Sequence, residues 1–170
     1  MKKFLSMSLS VFLVTALPMV ALAQPATVAD PTYSFSFFGP QVSSAPSGAF
    51  AGDTIRVTGS GSFDPGAATV VAGGSFTVSD TSGSVVQRGT WKATAFDSFQ
   101  AFGGPRSGFQ GGTLQITVTM FPNGGSPVTG VSMTVNCLIA APAGFTASEG
   151  IVIGDFTQVV RGATLFHLND

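Results

Sequence analysis

The chain has 170 residues with 7 basic and 8 acidic side chains, so only 9% of it is charged, against about 25% in an ordinary soluble domain. Such a balance lacks the clustered Lys and Arg that neutralise a nucleic-acid backbone, so no nucleic-acid partner is expected. A lone cysteine excludes an internal disulfide, and a surface so poor in charge must be coated with hydroxyls and peptide groups, weakly defended against self-association.

Met1-Lys2-Lys3 is a short positive segment, and Phe4 to Val20 is mostly apolar and runs into Ala21-Leu22-Ala23. This is the pattern of a secretory signal peptide with a small-x-small cleavage site, and a cut after Ala23 is expected. Ser6, Ser8, Ser10, Thr15 and Pro18 interrupt the apolar run and no basic stop-transfer cluster follows, so no transmembrane anchor is expected in the mature chain. Export by this route leads to the periplasm or the extracellular space. No cysteine near the cut could take a lipid, and no twin arginine precedes it, so no preloaded cofactor is expected. Residues 24–170 leave 147 residues, with 5 basic against 8 acidic side chains and a net charge of −3. Residues 24–31 read as a loose leader and 32–170 as one all-β domain, long enough to bury a core.

Along that domain apolar residues recur at period two, while Gly or Pro interrupts nearly every helical candidate. Tyr33, Phe35 and Phe37 alternate with Ser34 and Ser36; Ile55 and Val57 continue through Gly59 and Gly61 to Phe63. Leu114, Ile116, Val118 and Met120, and then Val131, Met133, Val135, Cys137 and Ile139, alternate with Thr, Ser, Gln and Asn. One face of each strand is therefore apolar and the other hydroxylated, as in antiparallel strands with one buried face. Asp64-Pro65-Gly66, Asp80-Thr81-Ser82-Gly83 and Pro122-Asn123-Gly124-Gly125 supply turn chemistry between them. Hairpins are predicted for 54–63 with 68–79, for that strand with 84–96, and for 113–121 with 127–139. Further strands are expected near 32–38, 150–154 and 156–168, about eight in all. Gly59, Gly61, Gly73, Gly74, Gly89 and Gly162 fall inside the strand pattern and imply bends, bulges or rings lying over the backbone. Such coiling favours a single antiparallel barrel over the alternative, a two-sheet sandwich.

Two segments invite a binding role. The connection from Asp97 to Gly112 carries Phe99, Phe102, Arg106 and Phe109, and a long aromatic loop of this kind could grip a glycan, a peptide or an apolar small molecule. The alternative is that its rings cap one end of the barrel. In Gln87-Arg88-Gly89-Thr90-Trp91-Lys92, inward-facing Gly89 and Trp91 would leave Arg88, Thr90 and Lys92 as a small basic strip outside. Trp91 joins Phe99, Phe102, Arg106 and Phe109 as the candidate ligand set.

A catalytic set is missing from the sequence. His167 is the single histidine, too few for a Ser-His-Asp device, and with Cys137 it cannot build a zinc or copper site. Cys137 reads as an inert inward thiol. Asp53, Asp64, Asp80 and Asp97 fall one per loop, where each bonds its own turn rather than calcium. Glu149 and Asp155 are the nearest pair for glycoside chemistry and read as solvated acids. The Gly-rich stretch Val71-Ala72-Gly73-Gly74-Ser75 lacks the Lys and the helix of a phosphate cradle.

The stretches Gly59-x-Gly61-x-Phe63 and Gly89-Thr90-Trp91 are similar to those of small secreted barrels such as the dirigent and allene oxide cyclase group. The likeness spans two strands and carries no catalytic residue over. Two functions follow as expectations. The first is an exported, non-enzymatic domain for binding or assembly at or outside the cell envelope, with a glycan or protein partner. The second is a barrel holding a small apolar ligand, in the manner of a cofactor-free isomerase or cyclase. A small outer-membrane barrel fits poorly, because one Trp and one Tyr cannot furnish two aromatic girdles.

Overall fold

The computed structural model describes residues 31–104 and 108–169; the segment 1–23 expected as a signal peptide, nearly all of the expected leader at 24–31, and Arg106 lie outside them. Ten strands join in one antiparallel sheet: β1 (Thr32–Phe37), β2 (Gln41–Ser44), β3 (Thr54–Asp64), β4 (Thr69–Ser79), β5 (Val85–Gly103), β6 (Phe109–Pro122), β7 (Val128–Cys137), β8 (Gly150–Ile153), β9 (Gln158–Arg161) and β10 (Thr164–Asn169). A 3-10 turn at Gly48–Phe50 is the one helical piece among the described residues.

The first hairpin sets the curvature. β3 and β4 pair without a break from Thr54↔Ser79 to Asp64↔Thr69, which puts Ile55, Val57, Gly59, Gly61 and Phe63 on the face shared with Phe76, Val78 and Ala72. Asp64 closes the turn by accepting the Ala67 N–H at 2.9 Å. Gly59 and Gly74 stand opposite each other, and Gly74 in turn faces Trp91 on β5. The indole fills the space that the missing side chain of Gly59 leaves: a Cβ there would meet the Trp91 ring and come within 2.7 Å of the Gly73 carbonyl, while one on Gly74 would run into the Thr58 carbonyl. Trp91 is 2% exposed, and its Nε1–H donates to the Thr58 carbonyl at 2.9 Å, so its one polar atom is satisfied inside the core.

Six strands close into a ring. β1 pairs β3 on one side (Tyr33↔Phe63 to Ser36↔Ser60) and β10 on the other (Thr32↔Asn169 to Phe37↔Thr164). β10 pairs β6 at Phe166↔Gln110 and His167↔Phe109, and β6, β5, β4 and β3 complete the circuit. Beyond the ring the long strands exchange partners: β3 leaves β1 for β2, which holds β9, while β6 takes β7, which holds β8. All ten strands belong to one sheet, not to the two of a sandwich.

Aromatic rings pack one part of the interior. Phe63 lies 5.2 Å from Tyr33, 4.8 Å from Phe99 and 5.9 Å from Phe166, centroid to centroid. Aliphatic side chains pack the rest, with Val57, Leu114, Ile116, Val118, Met133, Val135 and Ile151 all at 0% exposure.

Three expectations change. The segment from Asp97 to Gly112 is not a loop: β5 continues to Gly103 and pairs β6 through Phe99↔Leu114 as far as Gly103↔Gly111. Three register shifts, at Ala93/Ala95, Phe96/Ser98 and Ala101/Gly103, scramble its alternation and make it read as irregular. The strand expected over 156–168 is two, β9 and β10, parted at Gly162, where a Cβ would run into the Gln41 side chain and come within 2.9 Å of the Glu149 carbonyl. β2 was not expected because its pattern is inverted, with Gln41 and Ser43 turned inward and fully buried. The core accepts them through hydrogen bonds: Gln41 donates to the Ala163 carbonyl at 3.0 Å and accepts its N–H at 3.1 Å, and Ser43 Oγ donates to the Ile151 carbonyl at 2.6 Å.

Candidate binding site

An open apolar groove lies where β3 begins and where the β4–β5 and β6–β7 turns meet. Its volume is about 670 Å³, and Phe50, Phe76, Val86, Met120, Val128 and Phe156 form much of its wall. The 3-10 turn carries Phe50 onto Phe156, with ring centroids 5.5 Å apart, which builds one side. Val86 and Val128, about half exposed, form part of the rim. Asp155 is the one ionisable side chain in the wall, and Gln87 and Ser132 are its other polar side chains. Val78 and Ile153 are buried beneath, so the groove is the uncovered end of the core.

The candidate ligand set does not converge there. Phe99 packs inside the ring, 4.8 Å from Tyr33 and 5.1 Å from Phe166. Phe102 leaves the ring to meet Phe145 at 4.7 Å, and Phe109 meets the edge of His167 at 5.6 Å. Trp91 is in the core, and Arg106 lies outside the described residues. The three phenylalanines thus have three separate neighbourhoods: Phe99 and Phe102 lie on β5 with a register shift at Ala101/Gly103 beside Phe102, while Phe109 begins β6, where it pairs His167 of β10. The groove residues come from strand ends and turns, far apart in sequence, and their one local signal was the run of Val85 and Val86 beside a turn.

The acids and the thiol have structural partners. Asp80 accepts the N–H groups of Ser82 and Ser84 and the Ser82 hydroxyl, which together hold its carboxyl below the usual range. Glu149 is not a solvated acid. Its Oε2 accepts the Leu138 N–H at 2.6 Å, and its Oε1 accepts the Thr164 N–H at 2.8 Å and the Thr164 hydroxyl at 2.9 Å. It therefore ties the end of β7 to β10, while Asp155 stands beyond the other end of β8, so the two do not form a glycosidase pair. Burial raises the Cys137 thiol above its ordinary value, and Glu149 adds to that. No group of three His, Cys, Asp or Glu able to hold a metal occurs among the described residues.

No family model, curated protein or solved structure matches the chain. The glycines of Gly59 to Phe63 and of Gly89 to Trp91 have local causes in this fold: a Cβ on Gly59 would meet the Trp91 indole, one on Gly61 would meet Ala72 and the Val71 carbonyl, and one on Gly89 would meet the Phe121 carbonyl.

Proposed function

We propose that the chain is an exported, non-enzymatic binding domain, and that its apolar groove holds one small apolar molecule. The observation that carries this reading is the groove. Its volume of about 670 Å³ falls in the range of roughly 300–1,000 Å³ usual for small-molecule pockets, and its wall joins aromatic and aliphatic side chains to a few polar groups. A single carboxylate, Asp155, with no second acid or base in the wall, supplies half of a proton shuttle, which favours binding over an isomerase or cyclase. Export is supported by the pattern from Met1 to Ala23. A second reading, self-association, is favoured by the exposed Val85, Val86, Phe121 and Val128 at the same end.

Native mass spectrometry of protein purified without detergent from its own host tests the proposal. A monomer that releases one non-protein mass on activation supports it. A dimer without such a mass favours self-association, and an empty monomer overturns both.

A further inference from the structure

The sheet register aligns three arginines from three strands that are distant in sequence. Arg161 on β9 stands opposite Val42 on β2, Val42 opposite Arg56 on β3, Arg56 opposite Thr77 on β4, and Thr77 opposite Arg88 on β5. Directly paired residues of antiparallel strands share a face, and the face here is the outer one, because Gln41, Ser43, Ile55, Val57, Phe76 and Val78 turn inward. All three arginines are exposed. Two strand spacings part each from the next, about 10 Å at the backbone. Lys92, outward on the same strand as Arg88, makes this the face of every Lys and Arg among the described residues.

The surroundings leave these charges unopposed. On β3 the adjoining outward positions are Thr54 and Thr58, and on β4 they are Ser75 and Ser79. Among the described residues the nearest carboxylates in sequence are Asp53, three residues from Arg56, Asp155, six from Arg161, and Asp80, eight from Arg88 and held within its own turn by Ser82 and Ser84. Thr90 follows Arg88 on the outer face of β5 and stands opposite Phe121 of β6, an exposed ring.

We infer that the outer-face row Arg161, Arg56 and Arg88 is a docking site for an extended acidic polysaccharide, with Phe121 as the platform for a sugar ring. Arginine forks match carboxylates bidentately, and the interleaved hydroxyls of Thr58, Ser75, Thr77 and Thr90 are donors and acceptors for sugar hydroxyls. Cations about 10 Å apart are too sparse for duplex DNA, which carries a charge every ~1.7 Å. They are also fewer than the basic clusters that hold anionic membranes. The site is separate from the apolar groove and stands independently of it.

The test is retention of the full chain on immobilised polygalacturonate, with dextran, duplex DNA and phosphatidylserine vesicles as parallel arms. Retention by polygalacturonate alone is expected, and it should weaken as salt rises. Replacing Arg56, Arg88 and Arg161 together by Gln should weaken it about tenfold, as loss of several exposed ion pairs implies. F121S should weaken binding without changing its salt dependence, and D53N should strengthen it. Absence of retention at low salt, equal retention of the triple variant, or preference for DNA or vesicles overturns the inference.

Discussion

Trp91 shows how one side chain fixes the spacing of its neighbours. The indole lies over Gly59, so a methyl group there must displace either the ring or the Gly73 carbonyl. Gly59→Ala is expected to cost about 1–3 kcal/mol through overpacking, measured as a lowered urea midpoint. The strand glycines were legible as a sign that something lies over the backbone; which ring does so was not, because 32 positions part Gly59 from Trp91 and nothing local links them. Cys137 was legible as an inert thiol because it falls on the apolar phase of β7. Its raised value means that the folded state holds the thiol proton more tightly than the unfolded chain. That contribution is complete below the thiol's ordinary value and is lost as pH climbs through the folded one. Tyr33, raised by the same cause, adds to the alkaline loss. Cys137→Val should therefore flatten the alkaline limb of the stability curve. In the unaltered protein a thiol reagent at pH near 8 should label Cys137 only after denaturation.

Among elements, those built on regular alternation were the readable ones. β3, β4 and β7 lie within a residue or two of their expected bounds because apolar and hydroxylated residues alternate cleanly, and β6 ends one residue past its expected end but begins four residues early. β2 was missed because its inward residues are Gln41 and Ser43, whose burial makes sense only once Ala163 and Ile151 supply their partners. The far half of β5 was missed because three bulges reset its phase. Those bulges have a use. Past Lys92 the strand pairs only β6, and an edge twisted by bulges is a poor template for another chain. Glu149 works at this scale too, since its three accepted hydrogen bonds fasten β7 to β10 beside Gln41 and Gly162. An amide there has one acceptor oxygen and turns an NH₂ toward an N–H donor. Glu149→Gln should cost about 2 kcal/mol, read from denaturant unfolding, and hydrogen exchange should show β10 opening before β3 and β4.

For the whole molecule, the consequence of the ring is an asymmetry between its two ends. Where β1 and β10 bridge β3 to β6, aromatic rings from Tyr33, Phe63, Phe99 and Phe166 pack the interior. Where β2, β8 and β9 replace them, the cover stops short and leaves the groove between Phe50, Val86, Val128 and Phe156. The all-β class and the curled sheet were legible from period and punctuation. The groove was not, because its walls are the ends of strands whose alignment depends on long-range register. On the proposed reading a small apolar molecule binds at this open end and not at Phe99, Phe102 and Phe109. A titration of the isotope-labelled protein with dodecanol, followed through its amide resonances, tests this most directly. Saturable shifts confined to the groove, around Val86, Val128, Ser132 and Phe156, are predicted; shifts centred on Phe102 and Phe109, or none at all, would contradict the account.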